Sequence, residues 1–184
     1  MTDLFLKRKV VNYNSLLEMK EDTSCKFKDA EVLVTKPIQK SVLMPKSRST
    51  TLKEGIKIDQ YPDICADLID FVDDWPDPRI KEECRVGEFN YLIYNNGDHF
   101  KVHVDRIGQK IPRRIYSTST LISQSADFEG GELIIYDRHG NGIDTDLKVG
   151  ETVFFHATTP HQVNPVTKGT REVLVAWIFD KFDT

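Results

Sequence analysis

Cysteine, long apolar runs and an excess of basic charge are all scarce in this chain, and each scarcity closes off a class of protein. The three cysteines among 184 residues, Cys25, Cys65 and Cys84, are an odd set with no C-x-x-C spacing. They predict neither a disulfide framework nor a cysteine-ligated zinc site, and reduced thiols in a cytosol suit them better. No stretch approaches the roughly 20 apolar residues that a membrane helix needs. The opening "MTDLFLKRKVVNYNS" is too charged and too short in its apolar run for a secretion signal, so the expected setting is cytoplasmic, with no membrane partner. A formal net charge of -4 argues against whole-surface attraction to nucleic acid, and no stripe of alternating aromatic and basic residues is present. Internal repeats and a second domain are also absent from the pattern.

What is present is ordinary core material: 39% hydrophobic residues, with ten Phe, six Tyr and two Trp, enough for one domain over 1–184. Ser15 stands three before Glu18 in "SLLEMKED", which predicts a short helix over 15–22 opened by a reciprocal cap. Residues 36–55 carry five Lys or Arg against one Glu, two prolines and a Ser/Thr cluster, the composition of a basic connecting loop or substrate-contacting segment. In 62–75, Ile64, Leu68, Val72 and Trp75 recur at helical steps behind Pro62, predicting a core-packing helix. From residue 87 the character changes. "FNYLIY", "FKVHVD", "TSTLIS", "ELIIYD", "TVFFHA" and "EVLVAWIFD" are short β-rich runs broken by Gly, Asn, Asp and Pro turns, the pattern of an antiparallel sandwich or barrel.

Within this β-rich half, His103 and Asp105 are one residue apart. On a helix they would diverge by about 200°, whereas on a strand both fall on one face. His161 follows another strand and a Thr-Thr-Pro turn, and Arg171 opens the last apolar strand. Two histidines and a carboxylate can fill three positions of an octahedral metal and leave three open, the arrangement of non-haem Fe(II) oxygenases. An arginine fork can hold a carboxylate through two parallel hydrogen bonds.

"YNNGDHFKVHVD", "ADFEGGELIIYD" and "HQVNP" followed by "REVLVAWIFD" together resemble the 2-oxoglutarate and Fe(II)-dependent dioxygenases. Within them they are similar to the prolyl 4-hydroxylase-like group that includes the oxygen-sensing prolyl hydroxylases. The resemblance spans about residues 87–180. It implies a mainly β double-stranded β-helix, a cupin-like jelly roll over 87–180, with residues 1–86 as N-terminal helical and loop support. It also implies that His103, Asp105 and His161 bind Fe(II), that Arg171 holds the distal carboxylate of 2-oxoglutarate, and that Tyr94, Ser119 and Trp177 line the co-substrate pocket. Leu121 stands where relatives carry a second pocket tyrosine, leaving Arg171 with Ser119 or Thr170 nearby. O2 is then a further co-substrate and ascorbate an accessory reductant. Asp105 favours hydroxylation over halogenation, since halogenating relatives lack that carboxylate. The implied substrate is a prolyl residue of a protein or peptide. A free amino acid or other small molecule is the alternative, as is a cupin-like metal-binding module without 2-oxoglutarate, which would have no need of Arg171. His99 and His156 are expected to be structural, to support the site's ligands from behind, or to be exposed, His139 to lie on the surface, and Asp98 and Glu129 to serve turns or solvation.

Overall fold

The computed structural model describes residues 4–9, 12–30, 32–34, 40–42, 47–54, 56–73, 84–106 and 114–180. Most of them form antiparallel sheets. A seven-stranded sheet has the order β1-β13-β9-β16-β7-β6-β2, built from Leu6–Lys9, Glu151–His156, Arg114–Gln124, Arg171–Asp180, Cys84–Tyr94, Thr51–Glu54 and Lys26–Asp29. Facing it is a five-stranded sheet, β12-β11-β14-β8-β5, from Gly142–Asp144, Leu133–Tyr136, His161–Val163, His99–His103 and Arg48–Ser49. Two-stranded ribbons join β10 (Glu129–Gly130) to β15 (Val166–Lys168), and β3 (Val32–Val34) to β4 (Lys40–Val42). This is the antiparallel sandwich expected from the strand pattern and the jelly roll implied by the resemblance, and the six β-rich runs fall on β7, β8, β9, β11, β13 and β16.

Two helices cover the outer face of the large sheet. In α2 (Pro62–Asp73), Ile64 and Leu68 are buried as the spacing required, and Phe71, also buried, packs in a separate cluster against Tyr116, Phe154 and Ile178. The Val72 side chain and Trp75 lie outside the described residues. In α1 (Tyr13–Glu21), Leu16 and Met19 pack with Ile64, Leu68, Phe89, Tyr91, Ile122 and Leu174. Burying each of these aliphatic side chains contributes about 1.5–3 kcal/mol. The central strands β7, β9 and β16 therefore present an apolar outer face to the helices and a mixed inner face to the other sheet.

Three expectations need correction. Helix α1 starts two residues before Ser15, with Asn12 at its N-cap and no side-chain cap bond. Ser15 instead donates to Asp63 Oδ2 on α2, a tertiary partner that outcompetes the local cap. Residues 48–49 and 51–54 are strands rather than loop. The basic residue Lys53 is buried on β6, where its ammonium donates to the Met19 and Lys20 carbonyls at 2.8 and 2.7 Å and closes the C-terminal end of α1. The first 86 residues also contribute more than support: β1, β2 and β6 extend the large sheet, and β5 extends the small one. Residues 36–39, 43–46 and 55 of the basic segment lie outside the described residues.

Candidate active site

Cross-strand register places the site. His161, first residue of β14, pairs directly with His103, last residue of β8, and their rings sit 4.1 Å apart between centroids. Asp105 joins them by a different route from the one predicted. Strand β8 ends at His103, and Asp105 lies two residues beyond it, held because its amide and that of Arg106 both donate to the Ala157 carbonyl at 3.0 Å. Asp105 Oδ1 is 3.8 Å from His103 Nε2, and Oδ2 is 3.6 Å from His161 Nε2. Ligand atoms of all three residues lie within 4.8 Å of one another, so they can hold one metal ion.

The surroundings prepare the three side chains for that task. His103 Nδ1 faces the Lys101 carbonyl at 2.8 Å, and His161 Nδ1 faces that of Thr159 at 2.9 Å. A ring nitrogen bonded to a carbonyl carries the proton, which leaves each Nε2 lone pair for a metal. Phe100 stacks on His103 with centroids 3.5 Å apart, and Phe155 meets His161 edge-on at 4.8 Å. Burial, with neighbouring His161, pushes the His103 imidazole well below the ordinary histidine range, so it stays neutral at pH 7. Burial alone would raise the Asp105 carboxyl, but His161, His103 and the Ser117 hydroxyl outweigh it and hold the group below the usual range. Ser117 Oγ donates to Asp105 Oδ2 at 2.6 Å. The Trp177 indole N–H is close enough to favour the ionised carboxylate, although it falls short of hydrogen-bond geometry and is buried without a partner.

These residues form one end of a cavity of about 810 Å³ between the sheets. Its floor is the inner face of β7, β9 and β16, in rows set by register. Arg171 faces Tyr94; Val173 faces Leu92 and Leu121; Val175 faces Asn90 and Ser119; Trp177 faces Glu88 and Ser117. Arg171 is 4% exposed and sits 5.8 Å from the Tyr94 ring centroid. One of its nitrogens donates to the Gly131 carbonyl, while Nε is buried without a partner. Burial lowers its pKa, yet guanidinium stays cationic at any working pH, and it forms no ion pair among the described residues. A buried cation of this kind is costly without a counter-ion, which fits a carboxylate-bearing ligand. Gly131 (φ +66°) allows the close approach: an added Cβ would lie 2.9 Å from Phe128 Cζ and 3.3 Å from Arg171 Cδ.

At the other end, the Arg114 guanidinium lies 3.8 Å above the Trp177 ring and pairs with Glu88 at 2.8 Å. Leu121 packs in an apolar cluster with Leu92, Tyr94, Val166 and Val173. Ser119 lines the cavity opposite Val175 rather than beside Arg171, and Thr170 is spent on Ser125 and Asn95. His99 and His156 lie outside the cluster, His139 is exposed, Asp98 caps the Asn95 turn, and Glu129 is exposed on β10. Sequence reasoning missed Ser117, Asn90 and Gly131. The Gly-Gly-Glu-Leu stretch was a signal for the last; a serine in a β run carries none.

Residues 89–179 match the profile of the 2OG-Fe(II) oxygenase superfamily. That segment belongs to this superfamily. A PKHD-type hydroxylase of Saccharophagus degradans is 36% identical over 94 residues, covering 48% of this chain and 41% of that protein. The chain thus spans about two-fifths of that relative's length. A 2OG-Fe(II) oxygenase family oxidoreductase from Burkholderia pseudomallei superposes with a TM-score of 0.68 at 11% identity, covering 96% of this chain and 85% of that one. A prolyl-4-hydroxylase from Pseudomonas putida does so with 0.62 at 18% identity, covering 97% and 93%. The superfamily uses Fe(II) and 2-oxoglutarate, and the residues gathered in the cavity have the donor types both require.

Proposed function

We propose that this chain is an Fe(II)- and 2-oxoglutarate-dependent dioxygenase that hydroxylates a prolyl residue of a protein or peptide. The observation that carries the reading is one cavity with two complementary ends: a neutral-His, ionised-Asp cluster at one, and a buried guanidinium without an ion pair among the described residues at the other. His103, Asp105 and His161 would hold the metal, and Arg171 with Tyr94 the far carboxylate of the co-substrate. Bound Fe(II) and 2-oxoglutarate supply oxidative decarboxylation by O2 coupled to C–H hydroxylation, releasing succinate and carbon dioxide.

The chain's own contribution is orientation and exclusion of water. Carbonyl bonds fix both imidazoles in the ligating tautomer, and Ser117 fixes the carboxylate. Leu92, Val173 and Leu121 form a dry floor beside the co-substrate, and Trp177, clamped under Arg114, walls the substrate side. The prolyl-4-hydroxylase among the structural neighbours supports a prolyl substrate. Most described elements join one pair of sheets and their covering helices, which supports treating 1–184 as one domain. Three free thiols suit a reducing, cytoplasmic setting, and among the described residues no helix is long and apolar enough to cross a membrane.

The test is succinate formation from 2-oxoglutarate by protein loaded anaerobically with Fe(II) and ascorbate, then exposed to O2, with and without proline-rich peptides. Turnover that peptides stimulate and that disappears in His161→Ala supports the reading. Stimulation by free amino acids alone replaces the peptide with a small molecule, and tight metal binding without succinate under any condition refutes the dioxygenase.

A further inference from the structure

The floor of the cavity holds two polar side chains that the proposed chemistry leaves unused. Asn90 on β7 and Ser119 on β9 flank Val175 of β16 in direct register, and both line the cavity. Ser119 is 7% exposed, and neither side chain has a hydrogen-bond partner among the described residues. The adjacent hydroxyl of Thr118 does not belong with them, because it donates to the Ala176 carbonyl at 3.2 Å. Asn90 is half-buried and Ser119 buried; a polar side chain removed from water without a protein partner is costly, and two in one row of a cavity floor mark a place where a ligand supplies acceptors.

Register says which part of the ligand. Val175 lies four residues from Arg171 along β16, roughly 13 Å, and two residues short of the Trp177 row that meets Asp105. Between Arg171 and the polar row lies the apolar row Leu92, Val173, Leu121. A dicarboxylate anchored at Arg171 lays its methylenes over the apolar row and brings its second carboxylate over Asn90 and Ser119. The flanking strands are about 10 Å apart, so an amide and a hydroxyl leaning in from them can share one carboxylate above Val175. Both donors are uncharged, so they orient an anion without competing with a metal for it.

We propose that Asn90 and Ser119 form a neutral two-donor cradle for the metal-proximal carboxylate of 2-oxoglutarate, the end opposite the one held by Arg171. The inference rests on the dioxygenase reading above. The test is calorimetric titration of the Mn(II)-loaded protein without O2, using 2-oxoglutarate, 2-oxopentanoate, which lacks the far carboxylate, and 4-oxopentanoate, which lacks the near one. Asn90→Leu and Ser119→Ala should each weaken 2-oxoglutarate and 2-oxopentanoate about tenfold, and together about a hundredfold. Binding of 4-oxopentanoate should hold, and Ser119→Thr should restore affinity. A double variant that melts like wild type and binds 2-oxopentanoate equally well overturns the cradle. So does an equal loss for 4-oxopentanoate, which would mean general distortion, or a loss confined to peptide stimulation, which would assign the pair to the primary substrate. Wild type that binds Mn(II) but no 2-oxoglutarate would instead overturn the parent reading.

Discussion

Replacing Arg171 with methionine separates its cost to the empty protein from its value to the ligand. The guanidinium is 4% exposed, donates once to the Gly131 carbonyl, and leaves Nε buried without a partner. Methionine nearly conserves the buried volume and removes the charge. Its loss strands the Gly131 carbonyl, at about 1–3 kcal/mol, and relieves the desolvation of an uncompensated cation, which acts in the opposite sense. The ligand-free melting temperature should therefore move by only a few degrees, since 1 kcal/mol is worth about 2–4 °C at this chain length. Binding should behave differently. Two charge-assisted hydrogen bonds at about 1.5–3 kcal/mol each come to about 3–6 kcal/mol, or roughly a hundred- to ten-thousandfold in affinity. Wild type loaded with Mn(II) and given 2-oxoglutarate at a hundred times its Kd should gain about 2.7 kcal/mol, a melting shift of about 5–11 °C. At the same concentration the variant, its Kd raised at least about a hundredfold, should gain no more than about 0.4 kcal/mol, a shift of at most about 1–2 °C. A variant that keeps the wild-type shift refutes Arg171 as the anchor, whatever its activity.

The other predictions concern the parts that hold this site in place. Ser117→Ala should weaken Mn(II) binding by about 10- to 100-fold, as loss of a group orienting a metal ligand generally does, and Ser117→Thr should recover most of it; calorimetry that finds no change removes Ser117 from the site. Gly131→Ala forces a side chain onto φ +66° and against Phe128, Val166 and Arg171. It should cost more than about 1 kcal/mol of stability and also weaken 2-oxoglutarate, so an unchanged urea midpoint counts against the close approach. The Cys65 thiol is pushed up to about 11, first by burial and then by Asp63. Its alkylation by iodoacetamide should be very slow at pH 8 and accelerate toward pH 11. Because the folded value is raised, the associated stability is complete below about pH 9 and is lost as pH climbs toward 11; rapid labelling of the folded protein at pH 8 contradicts this.

The sheets were legible because β-branched and aromatic runs separated by turn residues have few other ways to bury themselves, and α2 because Ile64 and Leu68 repeat at helical spacing ahead of Phe71. The misreadings share a cause: a partner distant in sequence decided a local choice. Ser15 found Asp63, 48 residues away, so its spacing to Glu18 was incidental. Lys53 found the carbonyls at the end of α1, which let a lysine sit inside a sheet that composition alone assigned to a loop. Site residues divided in the same way. Histidine, aspartate and arginine are rare enough inside apolar strands to announce themselves, whereas Asn90, Ser117 and Ser119 acquire meaning only once register shows what they face.

Asp105 occupies a position that neither histidine shares. His103 and His161 are neighbours within the small sheet, and a single register pair aligns them. Asp105 lies off that sheet's strands, with its amide bonded to the end of β13 and its carboxylate bonded to Ser117 on β9, both in the large sheet. The carboxylate therefore ties the two sheets together at the site, in addition to any charge it offers a metal. Removing a histidine deletes a donor and leaves the sheets connected. Removing Asp105 deletes a donor, strands the Ser117 hydroxyl, and leaves two facing imidazoles with no anion between them. Asparagine at 105 can keep the bond to Ser117 while losing the charge, so comparing Asp105→Asn with Asp105→Ala separates the structural tie from the ligand charge: the tie should appear in melting temperature and the charge in metal affinity.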